Sequence, residues 1–105
     1  MSDRAILPNR RAAETFQVQH ALPGGKSQTV TVTVGFYECG HIGEVFVSDP
    51  KVGSSMEAIA RDAAVLLSIA IQHHVPLETI RHAITREQDG SASSIIGAVL
   101  DRLGK

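Results

Sequence analysis

The chain has 105 residues, of which 43% are hydrophobic and 20% are charged, which suits one small domain with its own core rather than two. Its formal net charge of -1 and sequence pI of about 6.5 give no overall attraction to nucleic acid or to an anionic membrane. The single cysteine, Cys39, excludes an internal disulfide and a zinc site built on cysteines, so packing has to stabilise the fold.

The first twelve residues are predicted to form a flexible N-terminal arm, followed by a single domain at residues 13–105. The arm carries Arg4, Arg10 and Arg11 around Pro8 and follows neither strand nor helix periodicity. A nucleic-acid-binding arm is the alternative, although three arginines would make few phosphate contacts. No leader pattern is visible and no apolar run reaches roughly 18 residues, so we expect a cytoplasmic protein with no membrane partner.

Three strands are predicted in the first half of the chain. The first begins at Thr15, where apolar and polar residues start to alternate, and it ends before the turn sequence PGGKSQ. The second covers residues 29–37, TVTVTVGFY, and the third covers residues 43–48, GEVFVS. Because short loops join them, the strands predict an antiparallel meander with valines facing one side and threonines the other.

Helical spacing replaces the alternation after Pro50. The pattern predicts a first helix at residues 55–73, which is apolar nearly all round and therefore has to bury two faces, one on the sheet and one against another helix or a partner subunit. Pro76 is predicted to open a short second helix, and a third helix ends at Gly104. The expected fold is α+β: a three-stranded antiparallel meander followed by three helices packed on one sheet face.

Residues able to carry out catalysis or bind metal do not form a recognisable set. No histidine pair has the i,i+4 spacing of a helical zinc site with a third ligand nearby. Cys39 beside His41 would need an orienting group and an oxyanion donor, and Glu57 and Asp62 point in different directions on their helix. We therefore expect no catalytic residue, no metal, no cofactor and no independent enzymatic activity.

The stretch SDPKVGSS, which joins the third strand to the first helix, is the candidate binding site. Gly53 permits a tight turn, Ser54 or Ser55 can cap the helix, and Lys51 places a positive charge near the free N–H groups of the helix start. Together these residues predict a site for a phosphate-bearing ligand. The alternative is purely structural: Ser54 caps the helix, Glu57 completes a capping box, and Lys51 points to water.

The sequence resembles the TSCPD domain over residues 43–84, in the order GEVFVS, KVGSS and ARDAAVLLSIAIQHHVPLETI. This domain is found at the C-terminal end of vitamin B12-dependent ribonucleotide reductases and as short stand-alone proteins. The resemblance implies a small stand-alone module with a binding or accessory role linked to deoxynucleotide synthesis, and a reductase or a nucleotide as its partner.

Departures from the family pattern limit what the resemblance implies. The Thr-Ser-Cys-Pro-Asp pentapeptide is absent, no cysteine-rich tail follows, and REQDGSASS precedes the last helix. Nothing in the chain resembles the catalytic part of a reductase. We expect a homodimer. The second hypothesis is a structural dimerisation module without a small ligand, whose doubly apolar first helix packs against its twin, and nucleic-acid binding through the N-terminal arm is the third.

Overall fold

The computed structural model describes residues 4–5, 7, 11–48 and 55–104, which form a three-stranded sheet followed by three helices. The strands, in their spatial order, are β1 (Ala13–Ala21), β2 (Ser27–Phe36) and β3 (Ile42–Ser48). The helices are α1 (Ser55–Gln72), α2 (Leu77–Ala83) and α3 (Ile95–Leu103). Both neighbouring strand pairs are antiparallel, so the expected α+β meander is confirmed.

The valines of the sheet form the floor of the core. Val18 lies opposite Val30 across β1 and β2, and Val34 lies opposite Val45 across β2 and β3, so the strand alternation places all four on one face. All four are buried. Burial of one such side chain stabilises the fold by roughly 1.5–3 kcal/mol, and this fixes the register because a one-residue slip would turn the valines to water.

The helices lie on the valine face. α1 packs mainly on β3, α3 packs on β1, and α2 packs against α3. Val99 and Leu100 of α3 are almost fully buried, while Arg102 leaves the core and places its guanidinium 4.7 Å from the centre of the Phe16 ring. None of the described helices is long and apolar enough to cross a membrane.

Several element boundaries differ from the predicted ones by one or two residues. β1 begins at Ala13, two residues before the alternation starts, because Ala13 pairs with Gly35 through backbone groups that do not depend on side-chain polarity. α1 ends at Gln72 instead of residue 73. Pro76 caps α2 with an extended ψ of 138° and does not belong to the helix itself.

Candidate functional site

The loop predicted to bind an anion joins β3 to α1. Lys51, Gly53 and Ser54 lie outside the described residues, and Ser55 is described only as the first residue of α1. In the first turn, Glu57 is buried and its carboxylate lies 3.2 Å from the guanidinium of Arg61. A carboxylate here stabilises the helix N-terminus and repels a second anion. The phosphate site stays a prediction.

The described residues form an open cleft between the tip of the β2–β3 hairpin and the C-terminal end of α1. Its volume is 980 Å³, at the upper end of the range of about 300–1,000 Å³ found for ligand sites. Cys39 and His41 line the hairpin side, and His74 lines the helix side. Apolar side chains line the rest of the cleft: Ile42, Ile71, Val75 and Leu77.

A tight turn presents Cys39 and His41 to solvent. The backbone N–H of Tyr37 donates to the carbonyl oxygen of His41 at 2.9 Å, and Gly40 N–H donates to the Tyr37 carbonyl at 2.9 Å. Gly40 has a φ of +90°, a conformation that a residue without a Cβ adopts at little cost. Both Cys39 and His41 are exposed on this turn.

His74 is held on the opposite side by the way α1 ends. Its N–H donates to the Ile71 carbonyl at 2.9 Å, and the Val75 N–H donates to the Ala70 carbonyl at 3.0 Å. These two bonds are those of a Schellman motif, which places its C′ residue in the left-handed region. His74 occupies that position with a φ of +70°, where glycine is usual.

The cleft therefore brings together Cys39, His41 and His74, which are far apart in the sequence. No group of three or more His, Cys, Asp or Glu side chains within the described ranges is placed to hold a metal ion. The thiol and imidazoles can exchange hydrogen bonds with a bound group at the rim, while the aliphatic lining accepts its apolar part. The arrangement suits recognition of a partly apolar group.

Part of the N-terminal segment is bound beside this cleft. Ala5 N–H donates to the Gln72 carbonyl at 2.8 Å, and the Tyr37 hydroxyl donates to the Ala5 carbonyl at 3.0 Å. The Arg4 guanidinium donates a hydrogen bond to the side-chain oxygen of Gln72. Arg4 and Arg11 thus make contacts within the chain that would compete with phosphate binding, whereas Arg10 lies outside the described residues.

Two polar side chains on the buried face of α1 satisfy the backbone of β3. The Ser68 hydroxyl donates to the Val45 carbonyl and accepts from the Val45 N–H, both at 2.9 Å. The Gln72 side-chain amide donates to the Gly43 carbonyl at 2.9 Å. β3 is one of the two edge strands of the sheet, and these bonds occupy backbone groups that an open edge would leave unpaired. Helical spacing alone did not reveal this role.

Glu44 is a buried acid on the sheet face that the helices leave uncovered. It forms an ion pair with Arg11, and its side chain occupies the space where a Cβ on Gly35 would lie. Gly35 therefore permits the Glu44 side chain to cross β2. This ion pair could not be predicted from the sequence, because the two charged residues are far apart along the chain.

The comparisons with known proteins identify a domain family. The sequence pattern of the TSCPD domain matches residues 5–105. The vitamin B12-dependent ribonucleotide reductase of Agrobacterium fabrum is 36% identical over 83 residues, which cover 79% of this chain and 6% of that protein. The same enzyme of Bradyrhizobium diazoefficiens is 32% identical over 85 residues, covering 81% of this chain and 6% of that protein.

The chain thus matches only a small part of these curated relatives. No solved structure matches it significantly. The family pattern nevertheless spans nearly all of the chain, including the whole sheet and all three helices. The chain belongs to the TSCPD domain family.

Proposed function

We propose that this chain is an accessory binding module for ribonucleotide reduction, which contacts a vitamin B12-dependent reductase and performs no nucleotide chemistry of its own. The main support for the proposal is the difference in length between this chain and the reductases that it matches. About four fifths of the chain is similar to 6% of each reductase, so the similarity is to one small module of a much larger enzyme. A module of this kind acts by binding.

The cleft beside Cys39 and His41 is the surface that we assign to the contact. Its apolar lining can take an aliphatic or aromatic side chain of the reductase, and its thiol and imidazoles can satisfy polar groups around that side chain. Backbone hydrogen bonds hold the hairpin turn and the end of α1, which form the two walls, so we expect the cleft to need little ordering when a partner binds.

The proposal is tested by adding the purified chain to the Agrobacterium fabrum reductase, both intact and shortened by the segment that matches this chain. We expect the chain to increase the ribonucleotide reduction rate of the shortened enzyme. Cys39→Glu combined with His41→Glu should remove the effect by placing two carboxylates at the cleft rim. Cys39→Ser, which keeps a small neutral side chain, is the matched control. An unchanged rate at saturating chain would contradict the accessory role.

A phosphate-bearing ligand at Lys51, Gly53, Ser54 and Ser55 is a separate part of the proposal. The start of α1 at Ser55 supports the predicted turn-to-helix junction. The buried carboxylate of Glu57 favours the alternative, in which the junction only caps the helix. Thermal-shift measurements with nucleoside di- and triphosphates test it. We expect a stabilising shift that Lys51→Ala reduces; no shift, or equal shifts in both proteins, would reject the site.

A further inference from the structure

The outer face of α1 exposes large aliphatic side chains to water. Ile59 and Leu66 are each 69% exposed, Val65 is 53% exposed, and Ile69 is 37% exposed. The opposite face of the same helix buries Ala60, Ala64 and Leu67. Several large apolar side chains exposed on one face of a helix in a small domain point to an interaction site.

The exposed residues follow the spacing of a helix-pairing seam. Successive steps of three and four residues connect a set that we call the outer stripe. It consists of four exposed residues of α1 and the partly buried residue directly after its end: Ile59, Asp62, Leu66, Ile69 and His73. Alternating steps of three and four keep side chains on one face of a helix and allow two helices to pack side by side. α1 has 18 residues and is therefore about 27 Å long, so the stripe runs along most of it.

Asp62, the only acidic residue of the stripe, favours antiparallel over parallel pairing of two such helices. A parallel arrangement would place Asp62 against Asp62 of a second copy, so that like charges meet in an apolar seam. An antiparallel arrangement with Leu66 opposite Ile69 instead places Asp62 opposite His73. The carboxylate then meets a side chain that can donate a hydrogen bond to it.

The same register places the apolar residues of the stripe together. Leu66 of each copy faces Ile69 of the other on both sides of a two-fold axis. Ile59 then lies toward the end of the opposing helix, where Val75 is also partly exposed. The stripe is thus complementary to itself, as an interface between identical subunits has to be.

We propose that two copies of this chain dimerise through their outer stripes, with the α1 helices antiparallel, Leu66 facing Ile69 and Asp62 facing His73. Dimerisation goes beyond the proposed function and does not depend on it. The sheet face that carries Phe46, which is 53% exposed, is the competing surface for self-association.

Sedimentation equilibrium of the full chain tests which surface is used. We expect the wild-type chain to be a dimer, and Leu66→Glu to weaken dimerisation by at least about 30-fold, the effect of losing an interface hot spot. Phe46→Glu changes an equally apolar exposed position on the sheet and should leave the dimer intact. Circular dichroism checks that each variant is folded. A monomeric wild type, or a dimer disrupted by Phe46→Glu and not by Leu66→Glu, would overturn the proposal.

Disulfide crosslinking tests the register, with Cys39→Ser as the background. A mixture of the Leu66→Cys and Ile69→Cys variants should form a mixed disulfide faster than either variant crosslinks with itself. Faster self-crosslinking of Leu66→Cys would mean that the helices are parallel or differently aligned, and would overturn the antiparallel arrangement.

Discussion

Ser68 is the polar residue that most directly links α1 to the sheet, because its hydroxyl both donates to and accepts from the backbone of Val45. Ser68→Ala would leave a buried N–H and a buried C=O without these partners. We expect a loss of about 1–3 kcal/mol in the free energy of unfolding, measured by urea denaturation.

Ser48→Ala is the matched control for this change, since Ser48 is exposed at the end of β3. Its effect should stay within about 0.5 kcal/mol, as for most surface substitutions. Equal stabilities for the Ser68 and Ser48 variants would mean that water satisfies the Val45 backbone when the hydroxyl is removed.

His74 carries backbone strain, because it is the only described residue other than glycine with a positive φ. His74→Val should be less stable than His74→Gly by about 1–2 kcal/mol, the cost of placing an L-residue in the left-handed conformation, which a β-branched side chain tolerates least. His74→Gly should retain or increase stability, because glycine adopts this conformation freely. Urea denaturation of both variants measures the difference, and a Gly variant less stable than the Val variant would contradict the Schellman account.

The principal strands and helices could be predicted from the sequence, and the contacts between them could not. Alternation in TVTVTV fixes which residues of β2 face the core, and the valines there are buried as predicted. Ser68 and Val45 are 23 residues apart, and nothing in local periodicity couples a helix side chain to a particular strand carbonyl. The cleft was missed for the same reason, because His74 approaches the hairpin only after the chain has folded.

The segment between α2 and α3 is rich in polar residues and is held in place by hydrogen bonds. The backbone of Arg86 forms an isolated antiparallel β-bridge with Ala92. The Arg86 guanidinium donates two hydrogen bonds, each of 2.7 Å, to the carboxylate oxygens of Asp101 in α3. Ser94 caps α3 by accepting from the Gly97 N–H at 3.2 Å. The loop is therefore tied to α3 at both of its ends.

The Arg86–Asp101 pair predicts a dependence of stability on pH. Hydrogen bonds from Arg86 hold the pKa of Asp101 below its ordinary value of 3.8, and bonds from Ser91 lower the pKa of Asp89 in the same loop. A carboxyl group whose pKa is lower in the folded state stabilises the fold at any pH above its unfolded-state pKa. This stabilisation is lost as the pH falls through its folded-state pKa. The stabilising effect is thus present at neutral pH and lost in acid.

Asp101→Asn should lower Tm at neutral pH and reduce the fall in Tm as the pH drops from about 5 to below the ordinary carboxyl pKa of 3.8. The wild-type and variant curves should converge at the acid end. Glu14→Gln, at an exposed position on β1, is the control for removing a carboxylate. Wild-type and Asp101→Asn curves that stay parallel throughout this range would show that the pair does not couple stability to pH.

On the scale of the whole molecule, α1 connects the surfaces to which we assign binding. Its buried face is hydrogen-bonded to one edge of the sheet, its C-terminal end lines the cleft, and its outer stripe exposes Ile59 and Leu66 to water. Under the two proposals, the cleft contacts the reductase and the outer stripe contacts a second copy of the chain, so one helix supplies part of both surfaces.

The most direct test of the accessory role is the binding of the chain to the Agrobacterium fabrum reductase shortened by its matching segment, measured by biolayer interferometry. We predict saturable binding that the combined change of Cys39→Glu and His41→Glu weakens at least about tenfold, a difference of roughly 1.4 kcal/mol. Phe46→Glu should leave the affinity unchanged. Absence of binding, or equal binding by the wild-type and cleft variants, would contradict the account.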